Sequence, residues 1–205
     1  MDITIVGTGN MARGIATRAT AGGHDVTLVG REQDKAQQLA EELGGSARAG
    51  DGIGGELVVL AVPYGAVGDV LEAHGGDLAG KVIVDITNPV DFSTFQPLSL
   101  DAGSAAQEIA ARAPQDAPVV KAFNTTFAGT LVEGNVAGTP LDVFIAGDDE
   151  EAKAKVRRLV EDGGMRAVDA GPLARAHELE ALGYLHMALQ QPLGTGFSSA
   201  VKILA

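Results

Sequence analysis

The 205-residue chain has no cysteine. That absence removes disulfides, thiol nucleophiles, thiolate metal sites and cysteine-held iron–sulfur clusters. Basic residues are scarce: 15 Lys and Arg stand against 27 Asp and Glu, a formal net charge of −12. Nucleic acid is therefore not expected as a partner, because phosphate neutralisation needs a basic face. The same scarcity makes individual cations, Arg31 and Lys35 above all, more informative. No apolar run approaches the roughly 20 residues a bilayer demands, and no charged-then-apolar leader precedes the first strand-like run. No membrane partner and a cytoplasmic location are expected. What is abundant is glycine, 28 residues, in a chain that is 45% apolar. That balance fits an α/β protein with many tight βα turns, built as one large domain or a domain with a small appendage.

The opening residues are the most informative. Met1 to Val6 is a short apolar run that reads as a strand. Gly7-Thr8-Gly9-Asn10-Met11-Ala12 follows at once, a G-x-G-x-x-A turn leading into a helix-like stretch to Ala21. This is the dinucleotide fingerprint in its required context of strand, turn and helix. Gly7 permits the turn, Gly9 allows backbone to approach a pyrophosphate, and Ala12 lets helix and strand pack closely. The helix N-terminus offers unpaired N–H groups and partial positive charge to phosphates.

Strand-like and helix-like segments then alternate. Strands are expected over 25–30, 46–49, 56–62, 81–86, 117–123, 141–146 and 166–169, and helices over 32–43, 66–74, 104–113, 147–161 and 173–190. Continuous apolar strands of this kind belong to a parallel sheet covered on both faces. The expected fold is a doubly wound, mostly parallel Rossmann sheet with a small C-terminal extension. Residues 1–170 would be the dinucleotide-binding domain and 171–205 a helix and tail. Residues 87–103 read as a long irregular stretch, and Phe197 to Leu204 as a final strand or edge segment.

The end of the second strand bears on which dinucleotide is bound. NAD sites place an acid there to hold the ribose hydroxyls. Here the sequence is Val29-Gly30-Arg31. Gly30 leaves room, Arg31 can set a planar guanidinium on a 2′-phosphate, and Lys35 one helical turn later can add charge. This favours NADP. Glu32 is the nearest acid, and it has a structural reason to sit at a helix start. Tyr64, Thr87-Asn88-Pro89-Val90 and Asn124-Thr125-Thr126 stand at the carboxyl ends of other strands, where such sheets bind ligands. No Ser-x-x-x-Tyr-x-x-x-Lys pattern and no metal-ligand spacing is present, and no metal is expected. The histidines offer no clear acid/base pair; His177 and His186, nine apart in one helix, fall on different faces. A nicotinamide site without a catalytic acid or base points to catalysis by placing two redox rings face to face.

In order along the chain stand Val-Gly-Thr-Gly-Asn10-Met, Val-Gly-Arg31 with Lys35, Leu-Ala-Val-Pro63-Tyr, Asp-Ile-Thr-Asn88-Pro, Lys121-Ala-Phe-Asn-Thr125, Ala146-Gly-Asp-Asp and Asp169-Ala-Gly-Pro172-Leu. This series resembles the NADPH-dependent F420 reductases (F420H2:NADP oxidoreductases) across essentially the whole chain. The resemblance implies hydride transfer between NADPH and C5 of the deazaflavin F420. It implies phosphate and ribose contacts at Gly7, Thr8, Gly9, Asn10 and Met11, and 2′-phosphate contacts at Gly30, Arg31 and Lys35. Tyr64, Val90 and Ala128 would line the nicotinamide half, with Asn124 and Thr125 near the acceptor ring. It also implies a homodimer, the C-terminal region helping to build the second ring's site. Where archaeal members carry His-Thr this chain has Asn124-Thr125; asparagine can hydrogen-bond a ring carbonyl but carries no proton near pH 7. A flavin or other small acceptor, and a non-catalytic NADP-binding module, are the alternative readings.

Overall fold

Glycine turns and β-branched runs set the frame. In the computed structural model, which describes residues 1–204, the elements follow in the order β1 (Asp2–Val6), α1 (Asn10–Ala21), β2 (Asp25–Val29), α2 (Gln33–Leu43), β3 (Ala47–Ala49), β4 (Leu57–Leu60), α3 (Tyr64–His74) and β5 (Val82–Asp85). A small hairpin, β6 (Val90–Asp91) and β7 (Gln96–Pro97), precedes α4 (Ala105–Arg112) and β8 (Val119–Lys121). Then come α5 (Ala128–Glu133), a second hairpin of β9 (Asn135–Val136) and β10 (Thr139–Pro140), β11 (Asp142–Gly147), α6 (Glu150–Asp162) and β12 (Arg166–Gly171). The chain closes with α7 (Ala176–Ala188) and α8 (Gln190–Leu193).

Eight strands form one sheet in the order β12-β11-β8-β5-β4-β1-β2-β3. All neighbours are parallel except β8 and β11, which pair antiparallel. The order reverses between β1 and β4, the switch point at whose carboxyl ends open α/β sheets bind ligands. Side chains alternate across the sheet with period two. Leu57 and Val59 join the layer of Ile15, Leu39, Leu131 and Val156 from α1, α2, α5 and α6. Val58 and Leu60 join Val67, Ile109 and Ala176 from α3, α4 and α7. Burial on both faces is why the strands read as unbroken apolar runs.

The structure corrects the expectations in three places. Of the two readings for Phe197 to Leu204, a final strand or an edge segment, the strand is not formed; the tail is tied to Asp142 by Lys202 and the Ile203 N–H. The stretch 87–103 contains the β6–β7 hairpin rather than being irregular throughout. The single helix expected over 173–190 is a 3-10 turn at Leu173–Arg175 followed by α7 and α8. The sequence reading also passed over α5 and the β9–β10 hairpin, which are too short to show a period. Among the described residues no helix is long and apolar enough to cross a membrane.

Candidate active site

The glycine turn is built by contact. Gly7 has φ +127°, and a Cβ there would lie 2.1 Å from the backbone oxygen of Ala61 at the end of β4. Only glycine fits where β1 and β4 diverge. A Cβ on Gly9 would meet nothing within 4 Å, so that face of the turn is open. Gly9 is the N-cap of α1, no side chain caps it, and the first helical turn holds no acid. The N–H groups of Asn10 and its neighbours therefore lack the usual competitor for an anion. Thr8 touches Gly30: a Cβ at Gly30 would stand 2.7 Å from Thr8 Cγ2. Arg31 is exposed, and Lys35 pairs with Glu32 at 2.6 Å, both exposed. These features fit the adenosine and pyrophosphate half of NADP: an open turn, an uncapped helix and a cation where an acid would otherwise stand.

A cavity of about 620 Å³ begins at Gly9, Asn10 and Met11 and crosses the carboxyl ends of β4, β5 and β8. Tyr64, Asn88, Asn124 and Ala128 line it, with Phe92 from the β6–β7 hairpin and Met187 and Phe197 from the C-terminal segment. Of the expected ring-side residues, Tyr64, Asn124 and Ala128 are brought to this wall. Val90 and Thr125 are buried beside it but do not line it. A second cavity, about 440 Å³, faces Asp2 and the glycine loop 50–55 at the amino ends of the strands, away from the switch point.

Hydrogen bonds fix Tyr64, Asn88 and Asn124 on the wall. The Tyr64 hydroxyl donates to Glu108 Oε2 at 2.7 Å. Burial and that carboxylate push the phenol up to about 12, so it stays neutral. Phe123 (φ +61°) is buried in the left-handed region, and this turns the chain sharply at the end of β8. Asn124, which follows, donates from Nδ2 to Asn88 Oδ1 at 2.9 Å and to the Leu179 carbonyl at 2.8 Å. Asn88 Nδ2 in turn donates to the Asn124 carbonyl at 2.8 Å. Backbone carbonyls only accept, so both amide orientations are fixed. Both Asn124 amide hydrogens are thus committed to partners within the protein. Its Oδ1 and the hydroxyl of Thr87 are buried with no partner, a cost for which polar ligand groups nearby would compensate.

The C-terminal segment supplies the other side. The His186 ring stacks on Phe127 with centroids 4.3 Å apart. Its Nδ1 lies 3.1 Å from the Thr125 carbonyl, so Nδ1 carries the hydrogen and Nε2 accepts from Ser199 Oγ at 2.9 Å. Burial lowers the His186 pKa, which keeps the ring neutral. Gln190, buried, accepts from the Phe197 N–H at 3.1 Å and donates to Ser199 Oγ at 2.9 Å. Phe197 then stands edge-on to Phe127, centroids 5.1 Å apart. Sequence reading missed His186, Gln190 and the buried trio Asp85, Lys121 and Glu180. A Lys at the end of an apolar strand was the one available signal. Among the described residues no group of three or more His, Asp or Glu side chains could hold a metal ion.

Residues 2–89 match the family described as NADP oxidoreductase, coenzyme F420-dependent. The F420-dependent NADP reductase of Methanothermobacter marburgensis is 31% identical over 89% of this chain and 89% of its own length. The metalloreductase STEAP3 of Rattus norvegicus is 31% identical over 88% of this chain, which spans only 36% of that larger protein. A crystal structure of an Arthrobacter sp. FB24 protein, provisionally described as an F420-dependent NADP-reductase, superposes over the full length of both chains with TM-score 0.86 at 31% identity.

Proposed function

This chain belongs to the coenzyme F420-dependent NADP oxidoreductase family, and on that premise we propose that it transfers a hydride between NADPH and the deazaflavin F420. The observation that supports this reading best is the continuity of one cavity from the uncapped start of α1 to the ring-sized wall of Tyr64, Asn88, Asn124 and Ala128. When both coenzymes are bound, nicotinamide C4 and deazaflavin C5 exchange the hydride and a ring nitrogen exchanges a proton with solvent.

The chain's own residues bind and orient. Gly7 to Met11 receive the pyrophosphate on backbone N–H groups. Gly30, Arg31 and Lys35 take the 2′-phosphate, Lys35 by leaving Glu32. Tyr64 and Ala128 flank the nicotinamide, and Val90 supports that wall from behind. Asn124 braces Asn88 and α7 near the acceptor ring, and Thr125 acts through its carbonyl on His186. No side chain donates or removes a proton at the reacting carbon; rate comes from holding the rings in reach and excluding water.

Residues 171–205 complete the acceptor site through Met187 and Phe197. The same segment exposes Leu185, Leu189 and Leu193, one helical stripe continuous with Phe95 of the hairpin, whose ring lies 5.7 Å from that of Tyr184. This stripe is where a second copy would dock, giving a homodimer. We place the enzyme in the cytoplasm, with its redox partner a small molecule.

The test is anaerobic mixing of NADPH and the protein with F420, FMN or FAD in parallel. F420 should bleach rapidly and the flavins slowly. A response from free flavins alone would overturn the acceptor assignment.

A further inference from the structure

Behind the cavity lies a buried charge cluster that hydride transfer itself does not use. Lys121, the last residue of β8, has no exposed surface. Its ammonium has three protons and three acceptors: Asp85 Oδ2 at 2.7 Å, Glu180 Oε1 at 2.7 Å and the Thr87 carbonyl at 2.5 Å. One cation against two carboxylates leaves a negative charge over. It is met by the first turn of α4, where the N–H groups of Ala105 and Ala106 donate to Glu180 at 3.1 and 3.4 Å. Burial raises the Glu180 pKa, and Lys121 pulls it back.

Burying three charges is seldom the cheapest way to fill a core, so the value of such a cluster lies in the geometry it imposes. Here the geometry is specific. Thr87 is held at both ends of its main chain, its N–H by Asp85 Oδ1 at 2.8 Å and its carbonyl by Lys121. The next residue is Asn88, which pairs with Asn124 on the cavity wall. The other arm, Glu180, belongs to α7. That helix also brings the Leu179 carbonyl to Asn124, Gly183 against both asparagines and Met187 to the cavity.

We propose that Lys121 is a positioning residue for the ring-binding end of the cavity, acting through Asp85 on the Thr87–Asn88 wall and through Glu180 on the docking of α7. The inference rests on the reading that the redox rings lie at that end. The adenosine half, at Gly9 and Arg31, is on separate elements and should be insensitive to the cluster.

The probes are 2′,5′-ADP, which reports the adenosine half alone, and NADPH, which reports both. In folded Lys121→Met and Glu180→Gln variants, 2′,5′-ADP should bind within about twofold of the unaltered protein. NADPH should bind more weakly, and single-turnover hydride transfer should slow by about tenfold or more, the scale for misplaced reacting groups. Glu180→Gln keeps an acceptor for Lys121 and leaves a neutral Lys121–Asp85 pair, so it decides the matter if Lys121→Met does not fold. Equal weakening of both probes would reduce the cluster to general stability. Unchanged hydride transfer in Glu180→Gln would overturn the inference. Failure of the unaltered protein to bind 2′,5′-ADP would overturn the coenzyme reading itself, and this inference with it.

Discussion

A methyl group on Gly30 would lie 2.7 Å from Thr8 Cγ2. A side chain at this strand end would have to move the Thr8 side chain aside. Gly30 leaves that space free, and on the proposed reading the neighbouring Arg31 meets a 2′-phosphate. Arg31→Ala should weaken NADPH binding by about 1–3 kcal/mol, the scale for losing a charged hydrogen-bond partner. NADH binding should hardly change, as titration of both coenzymes will show; equal losses would place the guanidinium elsewhere. The roles proposed for Gly30 and Arg31 can be written from sequence because the chemistry behind them is local: glycine at a strand end, cation instead of acid. The partners of Asn124 cannot. Its amide hydrogens are committed to Asn88 and to Leu179, 36 and 55 positions away, and only the folded chain brings these groups together.

At the scale of elements, α7 is the part that sequence pattern described least. A helix was expected there, yet its buried face is Ala176, Leu179, Glu180, Gly183 and His186, continued by Gln190. Ala176 and Leu179 join the core, and the residues between and beyond them are polar or glycine and dock on strand ends, so the face carries no continuous apolar stripe. Gly183 is the tightest point: a Cβ would meet Asn88 Oδ1 at 2.7 Å and the Asn124 carbonyl at 2.9 Å. Gly183→Ala should lift α7, slowing hydride transfer by about tenfold while 2′,5′-ADP binding holds, a split that steady-state and binding measurements together resolve. The tail is fixed by a different device. Burial alone would raise the Asp142 pKa, but hydrogen bonds from Arg166, Lys202 and the Ile203 N–H bring it down to about 2. A carboxylate with a depressed folded-state pKa stabilises above its unfolded value and loses that contribution as pH falls through the folded one. Roughly 2 kcal/mol should therefore fade between about pH 4 and pH 2, and Asp142→Asn should lack that part of the acid dependence in denaturant titrations. The sequence left this tail, Phe197 to Leu204, as a final strand or an edge segment. The strap it forms depends on Asp142, 60 residues earlier.

For the molecule as a whole, the doubly wound order was readable from the alternation of apolar runs and helical periods, since each is a short-range property. The antiparallel pairing of β8 with β11 and the wrapping of the C-terminal segment back over the switch point were not, because they are settled by packing between distant segments. That wrapping leaves Leu185, Leu189 and Leu193 exposed. Leu189→Asp should convert a dimer docked on these residues into a monomer in sedimentation experiments. A protein that is monomeric before the substitution would exclude this interface.

The central claim is direct transfer between two rings held in one cavity. Single turnover of NADPH carrying deuterium at both positions of nicotinamide C4, mixed anaerobically with F420, tests it most directly. The account predicts deuterium at C5 of reduced F420 and a primary isotope effect on the bleaching. Deuterium lost to water, or no reduction of F420 while NADPH remains bound, would contradict it.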